Sequence, residues 1–430
     1  MKLADIDLLN MDIFVEGVPH EAFEFLRREA PVYLHPEPND GPGFWVLTKY
    51  HDIEKASQDW ASYSSAQGVV GMSESEYGEA VQAAEGAAQH DGQAQSDGAP
   101  QTMGGMELMM LNMDPPFHTK LRKLVNTGFT MARINKLESA VRQVTTQILD
   151  KAAPRGECDF VTDIAAELPL QVIAELIGIP QEDRQKIFEW SNQMIGSADP
   201  EYQVASDTTM NAAIGMYSYA EQLTSDRREN QRDDLISVLI DAEVDGDKLS
   251  QLEIDVFFLL LAVAGNETTR NLISGGMVAF FDNPDQWSRL VDDSSLMPTA
   301  VEEMLRWVSP VMYFRRAAMN DQEIQGHQIK KGDKVTLWYI SGNRDEDVFE
   351  EPDRFDVGRD PNLHLAFGAG GPHNCLGLNL ARLEIKVMFE ELTRRMPDIQ
   401  KAGPPQRLRS NFISGIKHLP VKFTSTKAEG

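Results

Sequence analysis

Residues 250–281 read SQLEIDVFFLLLAVAGNETTRNLISGGMVAFF, and the fold turns on whether they make one helix or two. Ser250-x-x-Glu253 is a capping box that starts a helix, and Asp282-Asn283-Pro284 is a stop signal. The middle is apolar on every side, which predicts a helix running through the core rather than along a surface. Into it falls Ala264-Gly265-Asn266-Glu267-Thr268-Thr269. Gly265 costs about 1 kcal/mol relative to Ala in a helix interior, and a buried Glu267 costs more unless paired or protonated. Two readings follow. Either Gly265 ends one helix and Thr268 or Thr269 caps another, or the glycine opens a groove beside a bound group. In the second case the Glu267 carboxyl and Thr268 hydroxyl could pass protons to that group.

Toward the C-terminus, residues 367–377 read FGAGGPHNCLG, followed by the amphipathic stretch 378–395, LNLARLEIKVMFEELTRR. Cys375 stands just before that helix, where free N–H groups and the dipole favour a thiolate. The surrounding glycines let a backbone approach a flat ligand closely. One soft sulfur in such a loop suits a single axial bond to iron in a macrocycle, not zinc, which wants four ligands. A nucleophilic cysteine would have to use His373 as its base, with no orienting partner evident. Cys158, in GECDF, reads as an inert buried cysteine.

Helical periodicity also marks 131–150 and 164–177, while strand signals gather at 42–48 and 311–340, with turns at Gln325-Gly326 and Lys331-Gly332-Asp333. The expected fold is mainly α with a smaller β region built from the two distant β-rich pieces, in one domain over 1–430. Residues 67–105 are mostly Ala, Gly, Gln, Ser and acid, too poor in apolar side chains to offset ordering, and are expected to form a flexible acidic insertion.

Composition excludes several classes of function. With 40 Lys+Arg against 67 Asp+Glu, the 430-residue chain carries −27 and repels nucleic-acid phosphates and anionic lipid. Its two cysteines cannot form a disulfide framework. The longest apolar run, Val256 to Ala264, is about half a membrane span, so no integral membrane segment is expected. The opening MKLADIDLLNMD lacks the basic-then-apolar order of a signal peptide, which makes the cytoplasm the expected location.

Taken in order along the chain, these motifs resemble the cytochrome P-450 superfamily, the heme-thiolate monooxygenases. Ala264–Thr269 is similar to its oxygen-activation motif, and Phe367–Gly377 to its heme loop. Glu303-Met304-Leu305-Arg306 resembles its Glu-x-x-Arg pair, and Pro352–Phe355 the motif whose Arg354 completes a Glu303–Arg306–Arg354 network. Glu-x-x-Arg alone carries little, since Glu24–Arg27, Glu229–Arg232 and Glu391–Arg394 repeat it. The extra residue between Phe367 and Cys375, with LNMDPPFHTKLRK (111–123), AVAGNETTRN (262–271) and NFISGIKHLPV (411–421), resembles the bacterial branch that hydroxylates steroid side chains and methyl-branched lipids.

That resemblance implies a cytochrome P-450 fold with its long central helix over a buried heme b. Cys375 is then the iron ligand, O2 the cosubstrate and an apolar small molecule the substrate. Glu267 and Thr268 become a proton relay. The heme contacts it implies are His118, Arg122, Ala264, Gly265, Arg316, Phe367, Gly368, His373, Cys375 and Gly377, with His118, Arg122, Arg316 and His373 on the propionates. Val263, Val311, Met312, Phe412 and Ile413 would face substrate. Electrons would come from NAD(P)H through ferredoxin reductase and ferredoxin, the latter docking on a basic island of Lys120, Arg122, Lys123 and Arg133. Terpene or fatty-acid hydroxylation, and a heme-bearing binder or sensor without turnover, remain as alternatives.

Overall fold

The computed structural model describes residues 1–73, 108–203, 205, 207–244 and 246–427 of the chain. The central stretch forms one unbroken helix, Gln251–Asp282, which decides between its two readings. Eight helices frame the site: α1 (Phe117–Asn126), α2 (Met131–Ala152), α3 (Glu167–Ile177), α4 (Arg184–Ile195), α5 (Thr208–Glu229), α6 (Gln251–Asp282), α7 (Met297–Val308) and α8 (Leu378–Arg395). The capping box at the start of α6 is made: Ser250 Oγ accepts from the Glu253 N–H at 3.3 Å, and the Glu253 carboxylate accepts from the Ser250 N–H at 2.8 Å. Buried on nearly every side, α6 packs against α3, α4, α5, α7 and α8 and is the axis of the helical mass.

A five-stranded sheet stands beside it, made of β1 (Val32–His35), β2 (Phe44–Leu47), β3 (Tyr63–Ser64), β4 (Tyr313–Ala318) and β5 (Lys334–Trp338), in the order β1-β2-β5-β4-β3. β1 and β2 form an antiparallel hairpin, and β2 then runs parallel to β5, with Trp45 opposite Val335. The two β-rich pieces of the sequence thus join, as their composition predicts. Strand alternation sends Trp45 and Leu47 into one apolar cluster and Phe44 and Val46 into another on the opposite face. Gln325 and Gly326 both have positive φ, of 48° and 81°, and close the hairpin between Gln322–Ile324 and His327–Ile329.

Of the insertion expected at 67–105, residues 74–105 lie outside the described residues. Its first part departs from expectation. Val69, Met72 and Ser73 are buried, and the Val69 and Gly71 carbonyls accept from Arg315, at 2.8 Å from its N–H and 3.3 Å from Nη1. Val69 and Met72 supply the apolar surface that the composition of the whole stretch concealed. Among the described residues, no helix is long and apolar enough to cross a membrane.

Candidate active site

One cavity of about 250 Å³ lies between α6, α8, α1 and the sheet. All ten expected heme contacts line it: His118, Arg122, Ala264, Gly265, Arg316, Phe367, Gly368, His373, Cys375 and Gly377.

The cysteine loop is folded by its own backbone. The Cys375 N–H donates to the Phe367 carbonyl at 2.9 Å, and α8 begins three residues later at Leu378. Gly371, at φ +75°, lies so close to the end of the Tyr50–Gln58 helix that a Cβ would stand 2.7 Å from the Ser57 carbonyl oxygen. No side chain fits there, and the Gln58 amide fastens the loop by donating to the Ala369 carbonyl at 2.9 Å. Burial pushes the Cys375 thiol above its ordinary value, while the Gly377 and Leu378 N–H groups and the Arg122 and Arg382 guanidiniums pull it down without prevailing. The N–H groups at the start of α8 favour the thiolate, as the sequence reading has it, and burial opposes them. Metal coordination is what would make this sulfur a thiolate.

Four cationic or potentially cationic side chains converge on one end of the cavity. His118 and Arg122 come four residues apart from one face of α1, Arg316 from β4 and His373 from the cysteine loop. Neither ring nitrogen of His118 has a hydrogen-bond partner, nor does Nε2 of His373, and both sets of atoms are buried. The two rings stand 4.3 Å apart. Burial and the neighbouring Arg122 lower His118 to about 4, and burial with Arg316 and His118 lowers His373 to about 3. Buried donors lacking acceptors, crowded with like charge, form a cradle for anionic groups. Two carboxylates on the edge of a flat macrocycle over Cys375 meet that demand, so the residues present fit heme.

On α6 the two relay residues part. The Thr268 Oγ lines the cavity and donates to the Ala264 carbonyl at 2.8 Å. Glu267, about 100° further round the helix, is wholly buried away from the cavity lining and paired with Arg270, whose Nη1 donates to Asn192 of α4 at 2.6 Å. Desolvation raises the Glu267 carboxyl, and Arg270 opposes the rise. Gly265 has a further reason to be glycine: a Cβ there would meet Ile173 Cδ1 of α3 at 2.8 Å.

The expected ion network needs one correction. Arg306 binds the wholly buried Glu303 through Nε at 2.7 Å and Nη2 at 2.8 Å. Its third partner is Arg359, with Nε 3.2 Å from Glu303, and not Arg354. The Arg354 side chain is half exposed and pairs with Glu351, so only its backbone carbonyl joins, accepting from Arg306 at 3.2 Å. An exposed arginine gains nothing by entering a buried network that a more enclosed one already serves.

Of the five expected substrate contacts, Val311 lines the cavity. Met312, the next residue, points to the opposite side and into the core shared with Phe23 and Trp338. Phe412 lies behind the lining residue Phe314, with ring centroids 5.7 Å apart. Ile413 is buried against Val311 by a β-bridge, and Val263 packs into the helical core. Phe314, Leu260 and Leu261 line the cavity instead. Period-2 alternation from Val311 would have picked out Tyr313 rather than Phe314, so local pattern alone misses it. The basic island is also thinner than expected. Arg122 turns inward, donating to the Asn374 carbonyl at 2.8 Å, and Arg133 pairs with Asp233 at 3.1 Å.

Comparison with known proteins agrees with this geometry. A model of the cytochrome P-450 family matches residues 170–397. The chain is 41% identical to a steroid C26-monooxygenase of Rhodococcus jostii, over 97% of this chain and 84% of that protein. It is also 41% identical to a methyl-branched lipid omega-hydroxylase of Mycobacterium tuberculosis, over 99% of this chain and 96% of that one. Among solved structures, a Mycobacterium marinum cytochrome P-450 in complex with pseudoionone superposes with a TM-score of 0.85 at 37% identity, covering 96% of this chain and 97% of the other.

Proposed function

This chain belongs to the cytochrome P-450 family and is a heme-thiolate monooxygenase; from that premise we propose that it hydroxylates a steroid side chain or a methyl-branched lipid. The observation that carries the substrate class is the apolar wall of the cavity, which Leu111, Leu260, Leu261, Val311 and Phe314 line together with Thr268. Such a wall binds by desolvation, at about 25 cal/mol for each Å² of apolar surface removed from water. The relatives named for steroid and methyl-branched lipid oxidation agree with that chemistry.

Heme held in this site supplies the iron at which O2 is split, one atom entering a C–H bond and the other leaving as water. Cys375 is the residue placed to ligate it, and His118, Arg122, Arg316 and His373 are placed to hold its carboxylates. Thr268 keeps a hydroxyl proton inside the cavity, and Glu267 is next in line once it turns from Arg270. The apolar lining keeps bulk water from that hydroxyl. Electrons reach the protein from separate redox partners. A ferredoxin reduced from NAD(P)H by its reductase fits the face carrying Lys120 and the exposed Lys123.

A spin-state titration with cholest-4-en-3-one, a methyl-branched fatty acid and a monoterpene tests the substrate class. Saturable low-to-high-spin shifts with either of the first two, and product oxygenated at a terminal methyl, are expected. A shift with the monoterpene alone would overturn the reading.

A further inference from the structure

Two neighbouring acids on α7 serve different parts of the molecule. Glu303 belongs to the network of Arg306 and Arg359, with the Asn362 amide added at 3.0 Å, whereas Glu302 reaches to α8 and to the run into the cysteine loop. The Glu302 carboxylate accepts from Arg382 Nε at 2.7 Å and Nη2 at 2.8 Å, one bond to each oxygen. Its third donor is His364. Nδ1 of that ring accepts from the Ala366 N–H at 3.2 Å, which leaves the ring proton on Nε2, 2.9 Å from Glu302. The His364 side chain is buried, and those of Glu302 and Arg382 are partly exposed.

Arg382 is thereby laid over the Phe367 ring, its guanidinium carbon 4.7 Å from the centroid. Phe367 in turn supplies the carbonyl that takes the Cys375 N–H at 2.9 Å. The Arg382 charge is felt at the sulfur, where it favours the negative form. A bidentate carboxylate on one side and an aromatic face on the other fix a side chain that is otherwise free to turn. Burial works against the Glu302 charge, but the hydrogen bonds from His364 and Arg382 hold its carboxyl at about 2. Glu302 is therefore a standing anion that balances the cation it holds.

We propose that Glu302 is a positioning residue for electron uptake: steered by His364, it sets the Arg382 cation against Phe367 beside Cys375, and the held charge governs how readily heme iron bound there accepts its electron. In that step one electron leaves the reduced redox partner and enters the iron, ferric to ferrous, with no bond made or broken. A nearby positive charge favours the added electron and a negative one opposes it. Glu302 and Arg382 therefore act with opposite sign. The inference rests on the heme-thiolate assignment and is independent of the substrate class.

Potentiometric titration of the heme-loaded protein reads both signs. Arg382→Gln should lower the midpoint potential by about 40 mV, a fall of about fivefold in the ferric-to-ferrous equilibrium at about 59 mV per tenfold for one electron. Glu302→Gln keeps the side-chain shape, leaves the cation uncompensated and should raise the potential by a similar amount. Glu302→Gln/Arg382→Gln should return close to the parent, and Arg382→Lys, which keeps the charge, should recover most of what Arg382→Gln loses. The shifts should shrink as salt rises, because both side chains are partly exposed. A role in packing alone would treat the Lys and Gln variants at 382 alike. Single variants that shift in the same direction, or Glu302→Gln at the parent potential, overturn the proposal. The carbon-monoxide difference band separates the two possible failures. Its absence from the parent would sink the heme-thiolate assignment, while its presence with unmoved potentials would sink the positioning role alone.

Discussion

The Nε of Arg359 donates to the wholly buried Glu303 carboxylate at 3.2 Å. Arg359→Ala therefore strips a donor from a buried anion, which costs about 1.5–3 kcal/mol. Arg354→Ala, at a half-exposed pair with Glu351, should change stability by no more than about 0.5 kcal/mol. Urea unfolding of the two variants side by side checks the order. Equal losses would mean that Arg354 reaches Glu303 after all.

Arg270 is the only arginine on Glu267 among the described residues. Arg270→Leu leaves a buried carboxylate with little more than the Asn266 amide at 3.4 Å, and should cost about 3–5 kcal/mol. Removing both charges in Glu267→Leu/Arg270→Leu should recover most of that loss. A double-mutant cycle by chemical denaturation measures it.

At Gly265 the close approach of Ile173 offsets the helix propensity of alanine. Gly265→Ala should be nearly neutral in the parent chain and stabilising by about 1 kcal/mol in an Ile173→Ala background, where both close carbons are gone. Additive effects in thermal melts of the four proteins would show that the two helices do not meet there as described.

His418 gives a pH dependence of defined sign. Burial works against its charge, but hydrogen bonds to Asp159 at 2.6 Å and Glu201 at 3.0 Å outweigh it and hold the imidazole above its ordinary value. The native state therefore binds a proton more tightly than the unfolded chain. The resulting stability is complete below the unfolded value of about 6.5 and is lost as pH rises through the folded one. For a partly exposed group this amounts to about 1 kcal/mol. Unfolding curves from pH 6 upward should show the decline, and His418→Gln should flatten it.

Much of the site is legible in the sequence because its parts are local. Cys375 and its glycines, the 250–281 helix with its capping box, and the His118–Arg122 spacing each carry their meaning within one turn or loop. What stays hidden depends on partners brought from afar. Arg359 and Arg354 are equally plausible as letters, and only the burial of one against Glu303 separates them. Glu267 and Thr268 are neighbours in the chain, yet Arg270 and Asn192 decide which way the carboxyl turns. Phe412 reads as a substrate contact until Phe314 fills the layer in front of it.

The Thr336 hydroxyl donates to the Trp45 carbonyl across 291 residues of chain, where β2 lies parallel to β5. On the ribosome, the hairpin made first must therefore wait with an unsatisfied edge until almost the whole polypeptide has emerged. Synthesis exposes that apolar ribbon for tens of seconds at translation speeds of about 5–20 residues per second, which makes it the stretch a chaperone has most reason to shield.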